Sequence, residues 1–374
     1  MNKFFITGAT GVVGSALVAE LLANSDCEFQ LLLRAKDDAD LQARLDKMLQ
    51  FWDLASGRGA DKRITALRGD VTWPLFGLTA EQYQRVSEQS SHIVHCAAIV
   101  KMNLPFAEAR NSAVTSVKSI LELARASQAR GVLKKVDIVS TVGVAGLTPG
   151  LIPEEPLPDV ERFHNTYEAS KSEAERFVRA NGVGLPLTLH RPSMVVGHSL
   201  TGKIIHFQVF YHLCEFLSGR HTPLRLVPKT HGVFLDTIPV DYVARAIAYC
   251  ALNPDFTAGK LFHLCSGPTD AVPVQALVER IKASFPSEGG YKPPRPISSS
   301  LFRSALPIMA WVVGDKQKKA LRNLPIFLDY LDVPQQFANS RSCEFFHDAG
   351  IDMPQPKDYI DVVLRYYLEK RQRR

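Results

Sequence analysis

No run of about 18 uninterrupted apolar residues occurs in this sequence, so a helix crossing a bilayer is not expected. Cysteine is scarce, with six residues at 27, 96, 214, 250, 265 and 343. None forms a Cys-x-x-Cys pair, and no histidine stands at a spacing that would close a zinc site with them. Neither a disulfide framework nor a metal site is expected, and a reducing, cytoplasmic compartment suits such a chain. Met1-Asn2-Lys3 runs directly into an apolar strand, without the apolar core and cleavage site of a secretory leader. An excess of one charge is also small: 44 Lys and Arg against 38 Asp and Glu leave +6. The densest basic run is the tail Lys370, Arg371, Arg373 and Arg374, too local for a nucleic-acid-binding face.

What remains is an ordinary globular composition, 46% hydrophobic and 22% charged over 374 residues. At roughly 150 residues per domain that is one large or two interleaved domains. Short β-rich runs alternate with helical patterns through the first half: Phe4–Ile6, Val12–Ala23, Phe29–Leu33 and Leu41–Leu54. Ile64–Leu67, His92–His95 and Val136–Val139 continue the series as third, fourth and fifth strands, the last after a helix over Phe106–Arg130. Strands this short and apolar, joined by helices, predict a parallel sheet covered on both faces, with ligand sites at the carboxyl ends of its strands. After residue 200 the pattern turns to helices and loops, yet Ile238–Ile247 reads as a strand leading into a helix and Lys260–Leu264 as another sheet strand. The expected division is a dinucleotide-binding part over 1–200, completed by about 233–266, and a substrate-binding, mostly helical part over 201–374.

Thr7-Gly-Ala-Thr-Gly-Val-Val-Gly14 lies between a strand and a helix, where a dinucleotide pyrophosphate rests on a helix N-terminus. Glycine at 8 and 11 lets backbone approach phosphate, and glycine at 14 lets helix and strand pack closely. The spacing is G-x-x-G-x-x-G, which differs from the G-x-G-x-x-G of ordinary dehydrogenases. About twenty residues later, where NAD-binding proteins present Asp or Glu, this chain has Arg34. A guanidinium there suits a 2′-phosphate, so NADPH is expected over NADH, with Lys36 able to assist. Asp70 stands where it could accept from the adenine amine or simply close a turn after Gly69.

Tyr167-Glu-Ala-Ser-Lys171 puts a phenol and an ammonium one helical turn apart on one face. The cation is expected to lower the phenol's pKa from about 10 and let it exchange a proton with a substrate oxygen. Ser140-Thr141 follows the fifth strand, and Thr141 is chosen as the hydroxyl that polarises a carbonyl, with Ser140 as a cap or turn residue. Asn111 reads equally as an N-cap or as part of a proton relay.

These stretches, with Gly69-Asp-Val71, His95-Cys-Ala-Ala98 and Arg191-Pro192, resemble the extended short-chain dehydrogenase/reductase superfamily. Leu33–Leu45, Asn165-Thr-Tyr167 and Ile238–Val243 look like its thioester reductase and fatty acyl-CoA reductase branch, and the likeness covers about residues 3–265. The resemblance implies an α/β fold of Rossmann type, a doubly wound parallel sheet with a smaller helical C-terminal region. It implies an NADPH-dependent reductase that turns an acyl thioester, on coenzyme A or a carrier, into an aldehyde or alcohol. Thr141 and Tyr167 would bind the carbonyl oxygen, with Lys171 orienting the nicotinamide ribose. Cofactor contacts would come from Thr7, Gly8, Thr10, Gly11, Val12, Val13, Gly14, Arg34, Asp70, Val71, Ala97, Lys171, Pro192 and Ser193. Cys96 departs from the asparagine common in relatives.

The same residues would serve an enzyme of this fold acting on a sterol, sugar nucleotide or small ketone, or a non-catalytic NADPH sensor. The apolar stretch Ile204–Leu217 could carry an acyl chain or be core, and Lys203, Arg220, Arg225 and Lys229 could meet phosphates or solvent. Ala305–Val313 could rest on a membrane surface or pack as a cap helix. No carrier domain is recognised in the sequence, so a thioester is expected to arrive from outside, and the oligomeric state is left open.

Overall fold

The computed structural model describes residues 2–54, 62–102, 104–219, 225–229, 232–284, 294–298, 301–304 and 335–372. The 305–313 segment, like Arg220, Arg373 and Arg374, lies outside the described residues.

Seven parallel strands form the central sheet: β1 (Lys3–Thr7), β2 (Glu28–Leu33), β3 (Ile64–Arg68), β4 (His92–His95), β5 (Lys135–Val139), β6 (Leu187–Pro192) and β7 (Leu261–Leu264). Their spatial order is β7-β6-β5-β4-β1-β2-β3. Strand order reverses between β1 and β4, and that topological switch point is where open α/β sheets bind ligands. Connecting helices are α1 (Val12–Asn24), α2 (Asp38–Phe51), α3 (Ala80–Gln89), α4 (Phe106–Ala129), α5 (Thr166–Asn181), α6 (Val209–Leu217) and α7 (Val240–Leu252).

The double winding follows from the pleat. On β1, Phe4 and Ile6 enter a core shared with Leu17, Leu21 of α1 and Val243, Ile247 of α7, whereas Phe5 enters the opposite core with Ile120 of α4 and Val178 of α5. Alternate side chains point to opposite faces, so both faces need a helical cover and the strand reads as continuously apolar. Phe5 is fully buried, and truncating it to alanine would cost about 3–5 kcal/mol.

A third core joins α6 to the helix Pro356–Gln372 through Tyr211, Phe210, Val363 and Leu364. The apolar run Ile204–Leu217 is therefore mainly core, with Phe210, Tyr211, Leu213 and Leu217 all at 2% exposure or less. The segment Gln335–Phe337 pairs in parallel with Gly150–Ile152. Buried Glu154 then caps the following helix, Ser340–Asp348, by accepting from the amides of Arg341 at 2.8 Å and Ser342 at 2.9 Å. Among the described residues no helix is long and apolar enough to cross a membrane.

Candidate active site

The turn after β1 brings the chain back under its own helix. Gly8 has φ +75°, and a Cβ there would lie 2.5 Å from the Ala97 amide nitrogen, beyond any real packing distance. A Cβ on Gly14 would collide with the Gly8 carbonyl oxygen. Glycine at 8 is thus demanded by the backbone that follows β4, a nearer constraint than the phosphate contact expected from sequence. Gly11 caps α1 without a side chain, and first-turn amides have no intrahelical acceptor, so they are available to an anion.

Two clefts meet at this edge of the sheet. The first, about 440 Å³, is lined by Gly8, Thr10, Gly11, Arg34, Asp70, Val71 and Ala97. The second, about 280 Å³, is lined by Val12, Val13, Thr141, Pro192 and Ser193. Tyr167 and Lys171 line both. Thr7 and Gly14 line neither: Thr7 is buried with its hydroxyl 2.8 Å from His95 Nδ1, and Gly14 packs behind the turn.

Around the first cleft, Arg34 at the end of β2 is joined by Arg44 of α2, which reached no separate role in the sequence reading. Arg44 is steadied by Asp40, at 3.1 Å. Asp70 does close a turn, its Oδ1 accepting from Thr72 N at 2.8 Å and Thr72 Oγ1 at 2.7 Å, while the residue also lines the cleft. Asn111 is no N-cap, because α4 begins at Phe106 after Pro105; Asn111 lines the first cleft and accepts from Thr115 Oγ1 at 3.2 Å.

Helix α5 starts at an Asn165 cap, whose side chain accepts from Glu168 N at 3.0 Å. That cap sets Tyr167, Lys171 and Glu175 in line at successive turns. Lys171 Nζ donates to the Val139 carbonyl at 2.9 Å, and burial lowers its pKa to about 8. The Tyr167 phenol is raised above its ordinary value by burial, with Glu168 adding to the effect. This reverses the lowered pKa expected from the Tyr-Lys spacing, because desolvation of the phenolate outweighs the cation one turn away.

Of the neighbouring hydroxyls, Thr141 and not Ser140 takes the capping role expected of Ser140. Thr141 is the cap, its Oγ1 accepting from Gly143 N at 3.1 Å, which leaves its O–H proton to donate. Ser140 donates to Glu175 Oε2 at 2.6 Å. Glu175 also takes two bonds from the Arg191 guanidinium, and both side chains are at most 4% exposed. Arg191 in turn reaches Glu155 O at 2.9 Å. This buried network ties α5 to β5 and β6 directly behind Lys171.

Asp236, His164 and Glu168 have no role assigned by any motif, yet all three line the second cleft. Asp236 lines the second cleft, accepts from the amides of Ser266 at 2.8 Å and Gly267 at 3.0 Å, and has its pKa raised to about 6 by burial. His164 and Glu168 line it too, with His164 Nδ1 2.9 Å from Glu168 Oε2. Burial pushes the Cys96 thiol up to about 12, so it stays protonated. Among the basic residues weighed as phosphate contacts, Lys203 pairs with Asp53 at 2.7 Å, and neither it nor Arg225 nor Lys229 lines either cleft.

Sheet order, glycine turn and the Tyr-x-x-x-Lys helix at the carboxyl edge together define an NAD(P)-binding oxidoreductase domain of the extended short-chain dehydrogenase/reductase type. Within that class the chain belongs to the male sterility protein family, whose sequence profile matches residues 6–247. It is 30% identical over 271 residues to an isonitrile lipopeptide synthase of Streptomyces coeruleorubidus, covering 71% of this chain and 18% of that protein. L-2-aminoadipate reductase of Saccharomyces cerevisiae is 29% identical over 270 residues, covering 67% of this chain and 19% of that enzyme. The chain thus spans under a fifth of these curated relatives. The crystal structure of the terminal R domain from the myxalamid PKS-NRPS pathway superimposes with TM-score 0.83 at 28% identity, covering 100% of this chain and 92% of that one.

Proposed function

We propose that this protein reduces an acyl thioester to an aldehyde, or onward to an alcohol, using NADPH. The carrying observation is that Tyr167 and Lys171 stand where the two clefts join, so one cleft can hold a dinucleotide and the other a substrate against the same phenol. Arg34 and Arg44 line the first cleft where a ribose 2′-phosphate would sit, which favours NADPH over NADH. Gln208, Phe210 and Phe337 line the second cleft, which supports assigning substrate binding to the 201–374 part.

The residues fit the group. The α1 N-terminus and the glycine turn would take the pyrophosphate, Asp70 the adenosine end, and Lys171 the nicotinamide ribose. When bound, NADPH supplies the hydride. Thr141 donates its free O–H proton to the substrate carbonyl, polarising it. Tyr167, kept neutral by burial, donates its proton to the same oxygen as negative charge develops. Lys171 steadies the resulting phenolate from one turn away.

Carrier-bound or coenzyme A thioesters are preferred over sterols and sugar nucleotides by the likeness of Leu33–Leu45, Asn165–Tyr167 and Ile238–Val243 to thioester reductases. Similar proteins named as a lipopeptide synthase and an aminoadipate reductase point the same way. The test is NADPH oxidation with acyl thioesters on coenzyme A and on phosphopantetheine, beside NADH controls and a panel of ketones. Thioester-dependent oxidation with stoichiometric thiol release supports the reading; ketone turnover without thioester turnover overturns it.

A further inference from the structure

Thioester reduction consumes one more proton than Tyr167 can supply on balance. Hydride adds to the carbonyl carbon while Tyr167 protonates the oxygen, giving a hemithioacetal. To release the aldehyde, the O–H bond must break, with its proton returning to the Tyr167 phenolate. The C–S bond then breaks with its electron pair on sulfur. Tyr167 ends as it began, and the departing thiolate still lacks a proton.

That thiolate forms in a cleft already walled by the carboxyl groups of Glu168 and Asp236. A bare anion there is opposed by both carboxylates and by the low dielectric, and the Lys171 ammonium, which also lines the cleft, is already bonded to the Val139 carbonyl. One side chain in the second cleft is built to meet it. His164 lies three residues before Tyr167, just ahead of the Asn165 cap of α5, and its side chain is 4% exposed. Glu168, 2% exposed, grips it twice, accepting from the His164 backbone amide at 3.2 Å and lying 2.9 Å from ring Nδ1. Glu168 is itself held from the other side: a Cβ on Gly143 would lie 2.9 Å from its Cγ, so the turn carrying Thr141 packs directly on the carboxylate stem. A carboxylate bound to one ring nitrogen fixes the imidazole's orientation in the cleft.

Resting on the thioester reading, we propose that His164, oriented by Glu168, is the acid that protonates the departing thiolate. The imidazolium gives its proton to sulfur as the C–S bond breaks, and solvent restores it. His164, just before the Asn165 cap, and Tyr167, in the first turn of α5, thereby place two acids at one helix start, His164 for sulfur and Tyr167 for oxygen.

The test is His164→Gln, which retains a hydrogen-bond donor towards Glu168 but has no titratable proton. It is assayed with an alkyl thioester and with the aryl thioester of the same acid, whose thiol leaves readily without an acid. Expected is a loss of roughly 10²-fold in kcat on the alkyl thioester. The aryl thioester should stay within about twofold of wild type, as a thiolate of low basicity gains little from an acid. NADPH binding, followed by fluorescence, and Tm should match wild type. Equal losses on both thioesters, or full activity on the alkyl one, would overturn the assignment. If the wild-type protein consumes neither thioester, the thioester reading itself fails, an outcome distinct from either.

Discussion

The Lys171 ammonium is bonded to the carbonyl oxygen of Val139, 2.9 Å away at the last residue of β5. This bond anchors the reactive face of α5 to the carboxyl edge of the sheet. It also withdraws a charge from solvent, which is why the lysine is held down to about 8. Several consequences of this placement are open to measurement.

Lys171 is charged below about pH 8 and neutral above it. NADPH affinity and kcat/KM should therefore decline as pH rises through about 8, well below the 10.4 or so of an ordinary lysine. Fluorescence titration of NADPH across about pH 6.5–9.5 checks it; a flat profile would contradict the assignment. Stability should move in the opposite sense. Because the folded pKa is depressed, charging Lys171 costs folding free energy in full below about 8, and the penalty fades as pH rises towards the unfolded value. Lys171→Met should raise Tm at pH about 7 while abolishing turnover.

Tyr167→Phe removes only the phenolic oxygen. Turnover should fall by about 10²–10⁴-fold with NADPH affinity nearly unchanged. Thr141→Ala should cost about 10²–10³-fold through the lost donor, plus about 0.5–2 kcal/mol of stability through the lost cap. Steady-state kinetics beside denaturant melts separate the two effects, and Thr141→Ser should recover most of both.

Arg34 and Arg44 are expected to act on the cofactor's 2′-phosphate. Replacing either with alanine should raise the KM for NADPH by about tenfold or more, a loss of roughly 1.5–3 kcal/mol for a charge-assisted bond. The KM for NADH should change little. Equal effects on both nucleotides would place these arginines elsewhere.

The Glu175–Arg191 pair is buried and doubly bonded. Removing one partner leaves a charge stranded in the core, so Glu175→Ala should destabilise by about 3–5 kcal/mol. Ser140→Ala, which deletes one neutral donor to the same carboxylate, should cost about 1–2 kcal/mol. Urea unfolding of the two variants reads the difference.

Much of the fold was legible because its signals are local. Strands β1 to β5 and helices α1 and α4 lie within two residues of the bounds read from apolar runs, and Lys260–Leu264 does form the seventh strand. The structure decided where local signals were ambiguous. Ser140 and Thr141 are adjacent hydroxyls, and only the turn at Val142–Ala145 decides which of them caps it. Asn111 reads equally as a cap or a relay residue, and the cap position is taken by Pro105, which precedes α4 and carries no capping side chain. The aromatic run around Phe210 has the same composition as a lipid groove, and it became core only through the helix Pro356–Gln372, more than a hundred residues away.

The sequence by itself determined the glycine turn, the Tyr167–Lys171 register and the doubly wound sheet, because turn stereochemistry and the periods of helix and strand act over a few residues. Only the tertiary structure decided that two clefts meet at Tyr167, that Arg44 joins Arg34, and that Asp236, His164 and Glu168 line one cleft. It also decided the direction of the Tyr167 shift, since desolvation depends on everything packed around the phenol and not on the lysine four residues along the chain.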